Sequence, residues 1–161
     1  MNINNIPFLT FFFTFFTISS FSLASLPQPN HSFNPNKNQG GTCSYTVTIK
    51  TSCSSPSKTK DQIALAFGDA YGHQVYAPRL DDPYSKTFER CSTDTFKIKG
   101  QCTNPICYLY LYRTGYDGWV PEYVTVSSHN YKPVTFYYNT GVPHGVWFGF
   151  NNCHGSSTLT M

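Results

Sequence analysis

Cys107-Tyr-Leu-Tyr-Leu-Tyr-Arg-Thr-Gly-Tyr-Asp-Gly-Trp-Val-Pro-Glu-Tyr-Val-Thr-Val126 is the stretch that decides the fold of this chain. Its first half alternates tyrosine with leucine, and its second half alternates valine with tyrosine or threonine. A period of two residues indicates a β-strand with two different faces. Gly115 and the pair Asp117-Gly118 separate the halves, and these residue types tolerate the positive φ angles of tight turns. The stretch therefore predicts two strands that reverse direction through a loop carrying Tyr116 and Trp119.

The same alternation recurs between Cys43 and Cys153. Apolar residues at every second position, or short apolar runs, mark further segments at 45–49, 63–67, 75–76, 94–99, 134–138 and 146–150. No segment shows the period of an amphipathic helix. About eight short strands with turn residues between them are typical of two packed sheets. The sequence thus predicts an all-β antiparallel β-sandwich with two four-stranded sheets, in preference to a closed barrel.

The first 24 residues are typical of a cleaved secretory signal. The apolar run from Phe8 to Phe21 is short for a membrane span, and it is followed by small residues that end at Ala24. The next segment is rich in Pro, Asn and Gln, and it includes the glycosylation sequon that begins at Asn30. We therefore expect a secreted, extracellular protein with signal peptide 1–24, disordered linker 25–42, folded domain 43–153 and polar tail 154–161.

Six cysteines, at positions 43, 53, 91, 102, 107 and 153, are expected to form disulfides in an oxidising compartment. An extended strand from Cys43 to Cys53 would hold these two residues about 30 Å apart, so they cannot bond to each other. Several pairings remain open. Cys43 with Cys153 would join the first strand to the last, Cys102 with Cys107 would close a proline-containing turn, and Cys53 would then bond Cys91. A zinc site is disfavoured, because no CxxC pair or CxxH cluster occurs.

Charge and motifs give little support to catalysis or to nucleic-acid binding. The net charge is +3, without a dense basic cluster. The chain lacks a GxSxG nucleophile elbow, an HExxH metal motif and a phosphate-binding glycine loop. Glu89 with Asp94, or Asp81 with Asp82, could form a carboxylate pair for glycoside cleavage, but adjacent acidic residues in turns are more often solvated. A small hydrolase would need Asp81 and Glu89 in one cleft. We interpret the chain as a non-catalytic, monomeric binding domain without a transmembrane segment.

Aromatic residues offer two candidate contact surfaces. The chain has 12 tyrosines and 2 tryptophans, and tyrosine suits interfaces because it combines an apolar ring with a hydrogen-bonding hydroxyl. Trp119 and Tyr116, on the loop, are predicted contacts for a lipid, a membrane surface or a protein partner, although packing of Trp119 beneath the turn is the competing interpretation. The alternative surface is the face formed by Tyr108, Tyr110 and Tyr112, which could stack on the sugar rings of cell-wall carbohydrate.

Calcium is a further hypothesis. Asp69, Asp81 and Asp82 belong to a set of aspartates at loop ends, and such oxygen ligands can collect Ca²⁺. No EF-hand spacing is present, and no other cofactor is indicated.

Four segments together resemble a known family. They are Phe67-Gly-Asp-Ala-Tyr-Gly72, Ala77-Pro-Arg-Leu-Asp-Asp-Pro83, Phe88-Glu-Arg-Cys-Ser-Thr-Asp-Thr-Phe96 and Asp117-Gly-Trp-Val-Pro-Glu122. The chain resembles the plant embryo-specific proteins, which are secreted members of the PLAT superfamily. The resemblance implies an eight-stranded sandwich, no catalysis, contact with lipid, membrane or protein, sometimes with calcium, and a role in seed or embryo development. Trp119 followed by Val124 and Val126 matches the local pattern of that superfamily.

Overall fold

The structure of the protein, a computed structural model, describes residues 41–80 and 85–153. Its strands are β1 (Thr42–Thr51), β2 (Gln62–Gly68), β3 (Gln74–Ala77), β4 (Thr93–Gln101), β5 (Tyr108–Thr114), β6 (Pro121–Ser128), β7 (Val134–Tyr137) and β8 (Trp147–Asn151). Every segment predicted from alternation overlaps one of these strands, so the all-β prediction is confirmed. The signal peptide, the linker up to residue 40, Asn30 and the tail lie outside the described residues.

The strands form two four-stranded antiparallel sheets, as predicted. The first sheet has the order β4-β1-β6-β7, and the second has the order β3-β2-β5-β8. β5 and β6 reverse direction through the loop between them, but they lie in different sheets. Residues 115–120 therefore cross from one sheet to the other, which ties the tip of this loop to both layers.

The core lies between the two sheets and consists of the residues that the alternation turns inward. Val47 and Ile49 of β1 belong to the same core cluster as Ile63 and Leu65 of β2, and all four side chains are fully buried. The rings of Tyr45 and Phe67 meet edge to face, with centroids 5.1 Å apart. Alternation selects the buried face because side chains of a strand point to opposite sides of its sheet.

Three disulfides close the domain, and two of their pairings differ from the prediction. The prediction of Cys53–Cys91 is confirmed. The predictions of Cys43–Cys153 and Cys102–Cys107 are wrong, because the bonds are Cys43–Cys102 and Cys107–Cys153. The reason is the strand order. β1 pairs with β4, so Cys102 follows the strand end that lies beside Cys43, whereas Cys107 and Cys153 flank the neighbouring strands β5 and β8.

Loops 52–61, 115–120 and 138–146 lie together at one end of the sandwich, which we call the rim. Backbone hydrogen bonds join them: Ser52 donates to the Val120 carbonyl over 2.9 Å, and Val142 donates to the Trp119 carbonyl over 3.1 Å. The β2–β3 turn, residues 69–73, lies at the opposite end, beside loop 102–107. The two ends can therefore be altered independently.

Candidate functional site

Trp119 is a core residue, which corrects its prediction as a contact for an external partner. The side chain is 1% exposed and is the largest fully buried side chain in residues 41–80 and 85–153. Its ring packs against Phe88, with centroids 5.0 Å apart, and its Nε1 donates a hydrogen bond to Thr51 Oγ1 over 3.1 Å. A buried indole requires such a partner for its N–H. The competing interpretation, a plug beneath the turn, is the one that the structure supports.

Tyr116 lies in the same loop as Trp119, but its side chain is exposed. Its relative exposure is 101%, so the whole side chain projects into solvent at the tip of the rim. The His144 ring stacks beside it, with centroids 6.1 Å apart and an interplanar angle of 13°. Sequence reasoning did not identify His144, because residues 138–146 show no strand or motif pattern that brings them to this loop.

A buried ion pair holds the tip in place. The Asp61 carboxylate bonds to the Arg113 guanidinium, and it accepts hydrogen bonds from the backbone N–H groups of Asp117 over 3.0 Å and Gly118 over 3.1 Å. Arg113 also donates to the Val142 carbonyl over 2.8 Å. Both charged groups are buried, so their hydrogen bonds must satisfy them. The ion pair thus fixes the backbone from which Tyr116 projects.

Gly115 explains how the chain passes so close to this ion pair. Its φ is 141°, and a Cβ at this position would collide with the Asp61 carboxylate. A larger residue would be strained both by this backbone conformation and by the loss of space. Glycine at 115 is therefore part of the support beneath Tyr116.

The rest of the exposed rim combines apolar and basic groups. Val146 is 48% exposed, and Lys58 and Lys60 are both exposed. The backbone N–H of Lys60 donates to Asp117 Oδ2 over 2.8 Å, which joins its loop to the Tyr116 loop. An exposed ring, an aliphatic side chain and ammonium groups on loops of one rim suit a surface with both apolar and anionic parts.

The tyrosine face of the second sheet is more enclosed than predicted. Tyr108, Tyr110 and Tyr112 are half-buried, and the rings of Tyr108 and Tyr110 are tilted by 43°. Tyr112 packs against Trp147, with centroids 5.2 Å apart, because the two residues are direct neighbours on β5 and β8. Trp147 was missed in the sequence because only strand register places it beside Tyr112.

Trp147 and two alanines form a small apolar cluster on this outer face. Ala64, Ala66 and Trp147 are buried, and Tyr110 and Tyr112 pack against them. Tyr76, which is 39% exposed, meets Trp147 edge to face. The rings cover the small residues of β2 and do not form an open, coplanar platform.

Asp69, one of the predicted calcium ligands, already bonds to protein groups. Its carboxylate accepts hydrogen bonds from the backbone N–H groups of Tyr71, His73 and Asn104, at distances of 2.7 to 3.1 Å, and pairs with His73 Nδ1 over 2.8 Å. Burial raises the pKa of Asp69, but these hydrogen bonds outweigh it and lower the pKa to about 2. Asp81 and Asp82 lie outside the described residues. Residues 41–80 and 85–153 contain no cluster of three potential metal ligands.

Replacement of Asp69 by asparagine is expected to reduce the acid sensitivity of the fold. The carboxyl pKa is lower in the folded chain than in the unfolded chain, so its stabilising contribution is present above about pH 4 and is lost as the pH falls towards 2. The shift corresponds to about 2 kcal/mol. Urea denaturation at each pH should show a steeper loss of stability for the wild type than for Asp69→Asn between about pH 4 and 2. Parallel pH profiles would contradict this role.

Of the carboxylates considered for catalysis, the structure describes Glu89 and Asp94 but not Asp81 and Asp82. Asp94 Oδ2 accepts hydrogen bonds from the Phe88 backbone over 2.9 Å and from the Ser92 hydroxyl over 2.8 Å, so it shapes the loop before β4. Glu89 lies in that loop and is half-buried. The proposed partner of Glu89, Asp81, lies outside the described residues, so the pairing of the two stays a prediction.

Similarity to known proteins identifies the family. Residues 31–153 match the family described as embryo-specific protein 3 (ATS3). The chain belongs to the embryo-specific protein 3 family. The chain is 60% identical to embryo-specific protein ATS3B of Arabidopsis thaliana over 133 residues, which are 81% of this chain and 70% of that protein. It is 52% identical to ATS3A of the same plant over 145 residues, covering 89% of this chain and 81% of that protein.

The fold of this embryo-specific protein 3 family member recurs in much larger proteins. It aligns with the crystal structure of coral 8R-lipoxygenase with a TM-score of 0.58 and 20% identity, covering 67% of this chain and 16% of the lipoxygenase. That lipoxygenase is activated by calcium through a C2-like domain. At this identity the likeness shows the PLAT-like fold alone, and it extends over only a sixth of the enzyme.

Two observations concern the compartment of the protein. Three disulfides in residues 41–80 and 85–153 are typical of proteins outside the reducing cytosol. The same residues contain no helix that is long and apolar enough to cross a membrane.

Proposed function

We propose that this protein is a secreted, non-catalytic binding domain that contacts a lipid or membrane surface through Tyr116 at the rim. The observation that carries the proposal is the full exposure of Tyr116 on a loop held by the buried Asp61–Arg113 ion pair. Exposing an entire aromatic ring to water is unfavourable, whereas its transfer to a headgroup interface is favourable. Because the loop is already ordered, contact requires little further loss of conformational entropy.

The composition of the rim supports a membrane surface in particular. Tyr116 and Val146 supply apolar area, while Lys58 and Lys60 supply positive charge that attracts anionic headgroups. A single exposed ring and one aliphatic side chain provide shallow, reversible contact, as expected for a peripheral domain. A protein partner would use the same exposed ring, and the experiment below separates these possibilities.

Tyr116→Ala is expected to lower the vesicle-bound fraction of the purified protein. The loss of one interfacial aromatic contact should weaken binding about fivefold, which corresponds to roughly 1 kcal/mol. Co-sedimentation with phosphatidylcholine vesicles, with and without phosphatidylserine and with and without Ca²⁺, measures this effect. Added phosphatidylserine should increase binding through the rim lysines, and added salt should reduce that increase.

Tyr71→Ala provides the matched control. Tyr71 is 78% exposed, but it lies in the β2–β3 turn at the end of the sandwich opposite the rim. Its removal should leave vesicle binding unchanged. Equal losses in the two variants would reject the rim as the contact, and an absence of pelleting in the wild type would reject membrane binding and favour a protein partner.

Neutral cell-wall carbohydrate is the second candidate ligand, and the tyrosine face favours it. Tyr110 and Tyr112 retain partial exposure beside Tyr76, and aromatic edges of this kind can contact sugar rings. We rank it below the membrane proposal, because the rings are tilted and mostly packed on one another. Retention on a neutral glycan that is lost in Tyr110→Ala and kept in Tyr116→Ala would reverse the ranking.

A further inference from the structure

The outward face of the first sheet carries lysines and hydroxyl groups without carboxylates; we call it the lysine–threonine face. The residues that alternate with the core positions of β1, β4, β6 and β7 form it. They are Ser44, Thr46, Thr48, Lys50, Thr93, Thr95, Lys97, Lys99, Tyr123, Thr125, Ser127, Thr135 and Tyr137. Asp94 falls on the same alternation as the residues packed against the core, and Glu122 lies at the register irregularity that begins β6, at the rim end of the sheet. Lys97 and Lys99 pair instead with Thr46 and Ser44, towards the other end of β1, so no carboxylate is their direct cross-strand neighbour.

A row of four threonines crosses the whole sheet. Strand register places Thr95 beside Thr48, Thr48 beside Thr125, and Thr125 beside Thr135. The hydroxyls of the last pair are 2.8 Å apart, and those of the first pair are 3.4 Å apart. At the usual spacing between strands the row extends about 14 Å. It is a continuous array of groups that can both donate and accept hydrogen bonds.

Two of the three lysines are held on the surface of the sheet. Lys97 Nζ donates to Thr46 Oγ1 over 2.6 Å, and Lys50 Nζ donates to the Cys91 carbonyl over 2.6 Å. Lys97 and Lys99 lie on the same face of β4, about 7 Å apart along the strand. An ammonium group that is already positioned loses less side-chain entropy when an anion binds.

An aromatic pair completes the face near the rim. Tyr123 and Tyr137 are direct cross-strand neighbours, with ring centroids 6.1 Å apart, and Tyr137 is 65% exposed. The face thus combines fixed positive charges, a hydroxyl array and an exposed ring. Positive charges bind carboxylates, hydroxyl groups bind the hydroxyls of sugars, and an exposed aromatic ring stacks on a sugar ring.

We propose that the lysine–threonine face binds an extended, carboxylated polysaccharide. Such a polymer carries one negative charge on each uronic acid unit and exposes many hydroxyls, so it matches the face in charge and in hydrogen bonding. A bilayer matches less well, because the direct cross-strand neighbours of Lys97 and Lys99 on this face are Thr46 and Ser44, which are polar. The proposal does not depend on the membrane function, since the lysines of β4 lie along the sheet and Tyr116 lies at a strand end.

Lys97→Gln combined with Lys99→Gln tests the proposal. Affinity of the purified protein for polygalacturonate, measured by isothermal titration calorimetry, should fall about tenfold in this variant through the loss of two charge-assisted contacts. Thr48→Val should also weaken binding, because it removes a hydroxyl from the centre of the row and keeps the side-chain volume. Circular dichroism should show an unchanged fold, since both lysines are exposed.

Lys58→Gln combined with Lys60→Gln is the matched control, because it removes the same charge from the rim. Wild-type affinity in this control, together with weak binding of fully methyl-esterified polygalacturonate, would support the lysine–threonine face. Equal losses in the two double variants would overturn the proposal in favour of net charge. Unchanged affinity in Lys97→Gln/Lys99→Gln would also overturn it. The proposal would also be overturned if Lys97 and Lys99 bound phosphatidylserine vesicles and the protein did not bind polygalacturonate.

Discussion

Trp119→Ala is expected to lower the free energy of unfolding by about 3–5 kcal/mol, the range found when large aromatic residues are removed from cores. The indole is fully buried, packs against Phe88 and bonds to Thr51, so its removal creates a cavity and leaves a buried hydroxyl without its donor. Small domains are stable by only about 5–15 kcal/mol, so the variant should be close to unfolding at physiological temperature. Urea denaturation followed by circular dichroism, with the disulfides intact, measures the change.

Two variants define this result more closely. Trp119→Phe keeps a ring in the core but loses the N–H donor, and it should cost less than Trp119→Ala. Tyr116→Ala, in the same loop, should change stability by no more than about 0.5 kcal/mol, because its side chain is exposed. The division of this loop into a buried anchor and an exposed tip would be contradicted if Trp119→Ala unfolded with the free energy of the wild type. It would also be contradicted if Tyr116→Ala lowered the free energy of unfolding more than Trp119→Ala.

Asp61→Asn is expected to destabilise the protein by about 3–5 kcal/mol, because it leaves the Arg113 charge buried without its partner. Asparagine keeps the size of the side chain, so the effect reports the charge and the hydrogen bonds and not a cavity. The amide hydrogens of Asp117 and Gly118 donate to Asp61, and their exchange with solvent should become faster. Urea denaturation and hydrogen exchange measure the two effects on the same sample.

Asp117→Asn is the control for Asp61→Asn. It makes the same chemical change in the residue that directly follows Tyr116, where the side chain is solvent-exposed, and it should cost less than about 1 kcal/mol. The double variant Asp61→Asn/Arg113→Met should be more stable than the sum of its single effects predicts, because no buried charge then lacks a partner. Additive effects would show that the ion pair does not hold the loop.

The ion pair also connects stability with the proposed function. If it orders the loop from which Tyr116 projects, Asp61→Asn should weaken vesicle binding although Tyr116 itself is unchanged. The measurement belongs at a temperature where this variant is still folded. Loss of binding in a folded Asp61→Asn variant would indicate that the fixed position of the ring matters, in addition to its presence.

Pairing between strands explains why the sequence did not identify the whole site. Tyr112 and Trp147 are 35 positions apart in the printed sequence, yet they are neighbours on adjacent strands. The threonine row likewise draws one residue from each of four strands. A pattern within one strand cannot indicate which residue of another strand lies beside it, because that depends on strand order and register.

The sequence by itself determined the eight strands, their inward faces and the sandwich class, because side-chain direction in a strand alternates locally with a period of two. The tertiary structure decided which cysteines bond, since strand order brings Cys102 to Cys43 and Cys153 to Cys107. It also decided that Trp119 is an anchor and Tyr116 the exposed tip. Two aromatic residues in one loop have the same local chemistry, and only the packing of loops from both sheets around them places one in the core and the other in solvent.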